Sequence, residues 1–273
     1  MSKDKDQATL SDQHNARGIE LADRGWLDEA VKEFVKAIEL DPEAAHAHDN
    51  LATVYAEQKR WREALAEHLT ALRLDPESAT AHFNLAGFLA AHGADMAVAQ
   101  YREAIGLEPD YPDAHLNLGL TLADHGEAAE ALSALGRAVE QNPSDALARR
   151  ELGGLLMDEG DHRAAVQQLK EAVRLEPGVF EAWLDLGLCY AEKGFYAEAA
   201  RAYAKASELS PDDLLVNYNT AALHARWGKP AEALAALRKA LASDPTKVRG
   251  WLKSDPMFAA LAENPEYQAL AKD

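Results

Sequence analysis

The sequence predicts an all-α solenoid of about seven helix–turn–helix units closed by a helical C-terminal cap, and three observations predict it. Seven prolines, Pro42, Pro76, Pro109, Pro143, Pro177, Pro211 and Pro245, are separated by 34, 33, 34, 34, 34 and 34 residues, a period that stacked helical hairpins use. Counted from Ser11, the units run 11–44, 45–78, 79–111, 112–145, 146–179, 180–213 and 214–247. The eighth place is always small (Gly18, Ala52, Ala86, Gly119, Gly153, Gly187, Ala221), and the twentieth is alanine in all seven units. A larger side chain at either place would hold two helices apart. Third, a glycine sits mid-unit in six of the seven, as at Gly25, Gly126, Gly160 and Gly194, with Lys59 as the exception. A helix C-terminus commonly needs a residue tolerant of positive φ there.

Each unit therefore reads as a helix, a tight turn, a second helix and a proline-containing turn. The third unit lacks one residue between Leu89 and Ala97, which places a shortened turn around Gly93 and Ala94. Residues 1–10 read as a disordered tail. Arg17 stands where most other units carry leucine, so the first hairpin is expected to be partly solvated. Residues 248–273 carry Trp251, Leu252, Met257, Phe258, Leu261, Tyr267 and Leu270 in helical spacing broken at Pro256 and Pro265. An open solenoid end needs such an amphipathic cover.

In the sixth unit Trp183, Leu186, Gly187, Tyr190, Ala199, Tyr203 and Pro211 resemble the tetratricopeptide repeat signature nearly residue for residue. The resemblance implies a right-handed superhelical solenoid in which the first helix of each unit lines a concave groove. It assigns that lining chiefly to the second, fifth, sixth, ninth, twelfth and thirteenth places.

Composition narrows the function classes. Asp and Glu outnumber Lys and Arg 46 to 28, a formal net charge of −18, which repels nucleic acid and anionic lipid and attracts basic partners. One cysteine, Cys189, leaves no internal disulfide, and a reducing cytoplasmic location is expected. The opening MSKDKDQATL lacks the apolar stretch of a secretory signal, and no run approaches the roughly 20 apolar residues that cross a bilayer. Membrane insertion is not expected.

Catalytic and metal chemistry find few parts. His14, His48, His82 and His115 recur at equivalent places, but stacked hairpins separate like places by roughly 10 Å, whereas a metal holds its nitrogen ligands at about 2 Å. The histidines read as packing residues. There is no nucleophile elbow, phosphate-binding loop, dinucleotide fingerprint or zinc-protease pair. Cys189, between Leu188 and Tyr190, reads as a buried inert thiol. No catalytic residue, metal or cofactor is expected.

The groove rows are the candidate site. The sixth place reads Ala16, Asn50, Asn84, Asn117, Glu151, Asp185 and Asn219. A side-chain amide both donates and accepts, so an asparagine row can hold the backbone of an extended peptide, as the resemblance implies for some family members. Alternatively each amide bonds a neighbouring helix end or water. The fifth place includes Phe83, Leu116, Arg150, Leu184 and Tyr218, read as apolar binding surface apart from the arginine. The thirteenth place, with Asp124 and Asp158, is an acidic row that either selects basic partners or is a solvated edge. No lysine occupies these rows, which disfavours the capture of a C-terminal carboxylate known in co-chaperone members. The expected function is an adaptor that binds a peptide or helical segment of basic and apolar character. Alternatives are a self-assembling structural protein and a non-catalytic subunit of an enzyme complex.

Overall fold

A computed structural model describes residues 2–90 and 93–272, with side chains from residue 9 onward. The chain divides into two compact parts, one ending at Asn142 and the other beginning at Pro143. The first part holds four antiparallel helix pairs: α1 (Ser2–Asp23) with α2 (Leu27–Leu40), α3 (Ala45–Glu57) with α4 (Trp61–Leu74), α5 (Ala79–Ala90) with α6 (Ala94–Leu107), and α7 (Pro112–Asp124) with α8 (Ala128–Gln141). The second part holds α9 (Ala146–Asp158) with α10 (His162–Leu175), α11 (Phe180–Glu192) with α12 (Tyr196–Leu209), and α13 (Leu214–Arg226) with α14 (Pro230–Ser243). It ends in α15 (Pro245–Leu252), a 3-10 helix (Pro256–Leu261) and α16 (Pro265–Ala271). No strand occurs among the described residues.

Two boundaries differ from expectation. The backbone of residues 2–10, expected to be disordered, is the opening of α1; the stretch from Ser2 to Arg17 contains neither glycine nor proline to stop a helix. At the other end, α15 begins at Pro245, ahead of residue 248, because proline suits the first helical turn and the Asp244 side chain accepts from Lys247 N.

The hairpins close on small residues. The seven alanines at the twentieth place, from Ala30 to Ala233, have no exposed surface. The eighth place faces the twenty-fourth: a β-carbon built on Gly119 would lie 2.7 Å from Leu135 Cγ, and one on Gly18 would lie 2.6 Å from the Phe34 ring. Turn glycines Gly25, Gly126, Gly160, Gly194 and Gly228 all have φ between 74° and 83°. Lys59 fills the same role at φ 61°. Gly93 does not, at φ −175°, directly before α6; residues 91 and 92 of that shortened turn lie outside the described residues.

Successive hairpins are tied by a recurrent bond. The side chain at the fourth place meets the carbonyl oxygen of the preceding turn proline: His48 to Pro42 at 3.3 Å, His82 to Pro76 at 3.1 Å and His115 to Pro109 at 3.1 Å. In the second part Arg149, Trp183 and Asn217 donate to Pro143, Pro177 and Pro211 at 2.8, 2.9 and 3.3 Å. Four residue types serve one purpose because each places an N–H donor at similar reach. His14 and His48 also meet Glu33 and Glu67 at 2.6 Å, so the recurrent histidines pin the hairpins.

In the C-terminal region Val248, Leu252, Phe258, Leu261 and Tyr267 are buried against α13 and α14. Tyr218 sits edge-on to Trp251 and Phe258 and donates its hydroxyl proton to Asp255 at 2.6 Å.

Candidate partner-binding surface

The candidate residues fall on the first helices of the pairs, and their environments differ. In the first part, Asn84 Nδ2 on α5 donates to Asp49 Oδ2 on α3 at 2.6 Å, and Asn50 Nδ2 donates to Asn15 Oδ1 on α1 at 3.0 Å. Each amide reaches back 35 residues, because the sixth place of one hairpin lies beside the fifth place of the one before. Asp49 also accepts from buried His68 Nδ1 at 2.8 Å. Asn117 donates within its own helix, to the Asp113 carbonyl at 2.8 Å. Each of these three amides therefore makes a hydrogen bond inside the protein, to partners other than the neighbouring helix end or water of the alternative reading.

The expected apolar surface at the fifth place needs correction. Leu116, Leu184 and Tyr218 are only 7%, 8% and 6% exposed, and Phe83 is half-buried between Tyr101 and Tyr111, with ring centroids 5.8 and 5.0 Å away. The fifth place points toward the neighbouring hairpin, so apolar residues there close the interior. Exposed apolar residues of the first helices stand elsewhere: Leu147 at 47% and Leu215 at 46% at the second place, and Ile19 at 40% at the ninth.

In the second part the polar lining gathers around Arg150, which contacts Glu151 closely and lies 3.9 Å from Asp185. Burial raises the Asp185 carboxyl to about 6, against the opposing pull of Arg150, and the neighbouring Glu151 raises it further. Asn219 is half-buried and, among the described residues, has no hydrogen-bond partner. It lines a cavity of about 340 Å³ with Leu215, Tyr218, Trp251 and Asp255. Asp124 and Asp158 are exposed, the last residues of α7 and α9. Glu192 ends α11 and is engaged by Arg226 at 2.9 Å.

Burial pushes the Cys189 thiol up to about 12, leaving it protonated and inert. Among the described residues no group of three or more His, Cys, Asp or Glu converges as a metal site. No helix among them is long and apolar enough to cross a membrane.

The tetratricopeptide repeat model matches residues 117–165, 150–213 and 190–248, and a second TPR repeat model matches 18–59, 53–93 and 95–126. The chain belongs to the tetratricopeptide repeat family. Tetratricopeptide proteins are generally non-catalytic adaptors for protein or peptide partners. Among solved structures the chain is similar to YrrB, described as a TPR protein with an unusual peptide-binding site. Identity is 30% over 67% of this chain and 95% of that one, with a TM-score of 0.59. It is similar to MamA at 26% identity over 57% of this chain and 91% of that one, with a TM-score of 0.54. With pilF of Pseudomonas aeruginosa it shares the tetratricopeptide fold at 18% identity, covering 84% and 98% of the two chains with a TM-score of 0.64. No curated protein matches the sequence.

Proposed function

We propose that this tetratricopeptide protein is an adaptor without catalysis of its own, which holds a basic, apolar-bearing segment of a partner protein against its first helices. The observation that carries this reading is the placement of Asp158 in the second part, with Asp124 placed alike at the end of α7 in the first. Each ends a helix, where the dipole disfavours a negative charge by about 0.3–1 kcal/mol, and neither has a cation partner among the described residues. Stability gives no reason for them; attraction of a basic segment does. Exposed Leu147 and Leu215 supply apolar contacts, and Asn219, with its amide uncommitted, supplies a backbone contact. The peptide-binding description of YrrB supports a peptide as the ligand class.

Calorimetry with a leucine–lysine helical peptide tests the reading. Asp124→Lys with Asp158→Lys is expected to weaken binding several-fold, and about 0.5 M salt should do the same through screening. Equal affinity in the variant and wild type rejects the acidic helix ends as the selecting feature.

A further inference from the structure

A crevice of about 560 Å³ opens on the opposite helices, between α10 and α12 with α11 as its floor. Val173, Leu186 and Ala202 form its buried base, and the half-buried rings of Trp183 and Tyr190 form its walls. Both rings are held: Trp183 Nε1 donates to Pro177 O at 2.9 Å, and Tyr190 meets Phe195 edge-on at 6.3 Å. Lys170, Arg201 and Lys205 stand on the rim with one carboxylate, Glu198. Lys205 is shared with Glu208 at 2.6 Å. Lys170 and Arg201 have no carboxylate partner among the described residues.

The same register forms crevices at two other places, which shows what is particular here. Between α6 and α8 the crevice is about 320 Å³, and between α12 and α14 about 340 Å³. Where this one has Trp183, Tyr190 and Arg201, those have His115, Leu122 and Ser133, or Asn217, His224 and Ala235. The enlarged crevice is thus the one with aromatic walls and a third cation. Its positive rim stands in a chain of net charge −18, so it offers acidic groups a local attraction that the whole molecule opposes. At physiological salt the screening length is about 8 Å, so the rim decides what docks there.

We propose that this crevice is a second docking surface, which takes an acidic amphipathic segment of a partner protein: an apolar side chain between Trp183 and Tyr190, with flanking carboxylates on Lys170 and Arg201. Fixed aromatic walls need no ordering on binding, which favours affinity. Its charge preference is opposite to that of the first-helix face, so the two surfaces can hold different segments.

The test uses the full chain with two labelled helical peptides of equal length, one of leucine and glutamate, one of leucine and lysine, followed by fluorescence anisotropy. The leucine–glutamate peptide is expected to bind. Lys170→Glu with Arg201→Glu should weaken it about tenfold or more. Ala204→Trp, at an exposed position lining the crevice, should block it without lowering the melting temperature. Asp124→Lys with Asp158→Lys should leave it unchanged, so failure of the first-helix reading shows only with the lysine peptide. Absence of leucine–glutamate binding, or equal binding by the crevice variants, overturns the proposal. A wild-type dimer that the charge reversal dissociates, seen by light scattering, would assign the crevice to a second copy and also overturn it.

Discussion

Asn84 donates to Asp49 at 2.6 Å across 35 residues, and the acceptor is itself a buried carboxylate already bonded to His68. The half-buried amide satisfies an acceptor that lies only 5% exposed, and so braces one hairpin against the next.

Asn84→Ala is therefore expected to destabilise the fold by about 1–3 kcal/mol, since it leaves a buried charged acceptor short of a donor. Asn117→Ala, which removes only a bond within its own helix, should change stability by less than about 0.5 kcal/mol. Urea denaturation of the two variants separates them; equal midpoints would show that the reach between hairpins carries no energy.

Lys59→Gly should stabilise the protein by roughly 1 kcal/mol. Lys59 holds φ 61°, a left-handed conformation that places its β-carbon against the backbone. Five other turns place glycine in this conformation. Thermal denaturation should show a higher midpoint for the variant, and a lower one would mean that the lysine side chain contributes more than the strain removes.

Asp185 gives a pH dependence with a definite sign. Its folded value of about 6 lies above its ordinary 3.8, so between those values the folded state binds more protons than the unfolded one. The group therefore destabilises the fold fully above about pH 6 and not at all below about pH 4. Asp185→Asn should be more stable than wild type by about 1–3 kcal/mol at pH 7 and indistinguishable at pH 4. A constant difference across that range would place the effect in packing.

Removing the residues after Lys247 should lower the melting temperature by more than about 10 °C. Five buried side chains are lost from the C-terminal cluster, each worth about 1.5–3 kcal/mol. Tyr218→Phe gives a graded companion, losing about 1 kcal/mol with the bond to Asp255. An unchanged melting temperature on truncation would mean that this segment does not cover the last hairpin.

The sequence by itself determined the hairpins, because what makes a hairpin is local and repeated. Gly119 must be small because Leu135 stands against it sixteen residues on, and the recurrent proline and glycine stop each helix within its own turn of chain. Such constraints recur every unit, so period and place are readable without knowing how the units stack. Tertiary structure decided which way the fifth and sixth places face. From sequence Leu116, Leu184 and Tyr218 read as exposed anchors, and Asn50 and Asn84 as ligand contacts or as bonds to a neighbouring helix end or water. Only the packing of a hairpin against the one before it brings Asp49 beside Asn84 and buries Tyr218 beneath Phe258 and Trp251. The same packing, by setting α10 against α12 over Trp183 and Tyr190, opens a crevice whose residues come from three helices and form no contiguous motif.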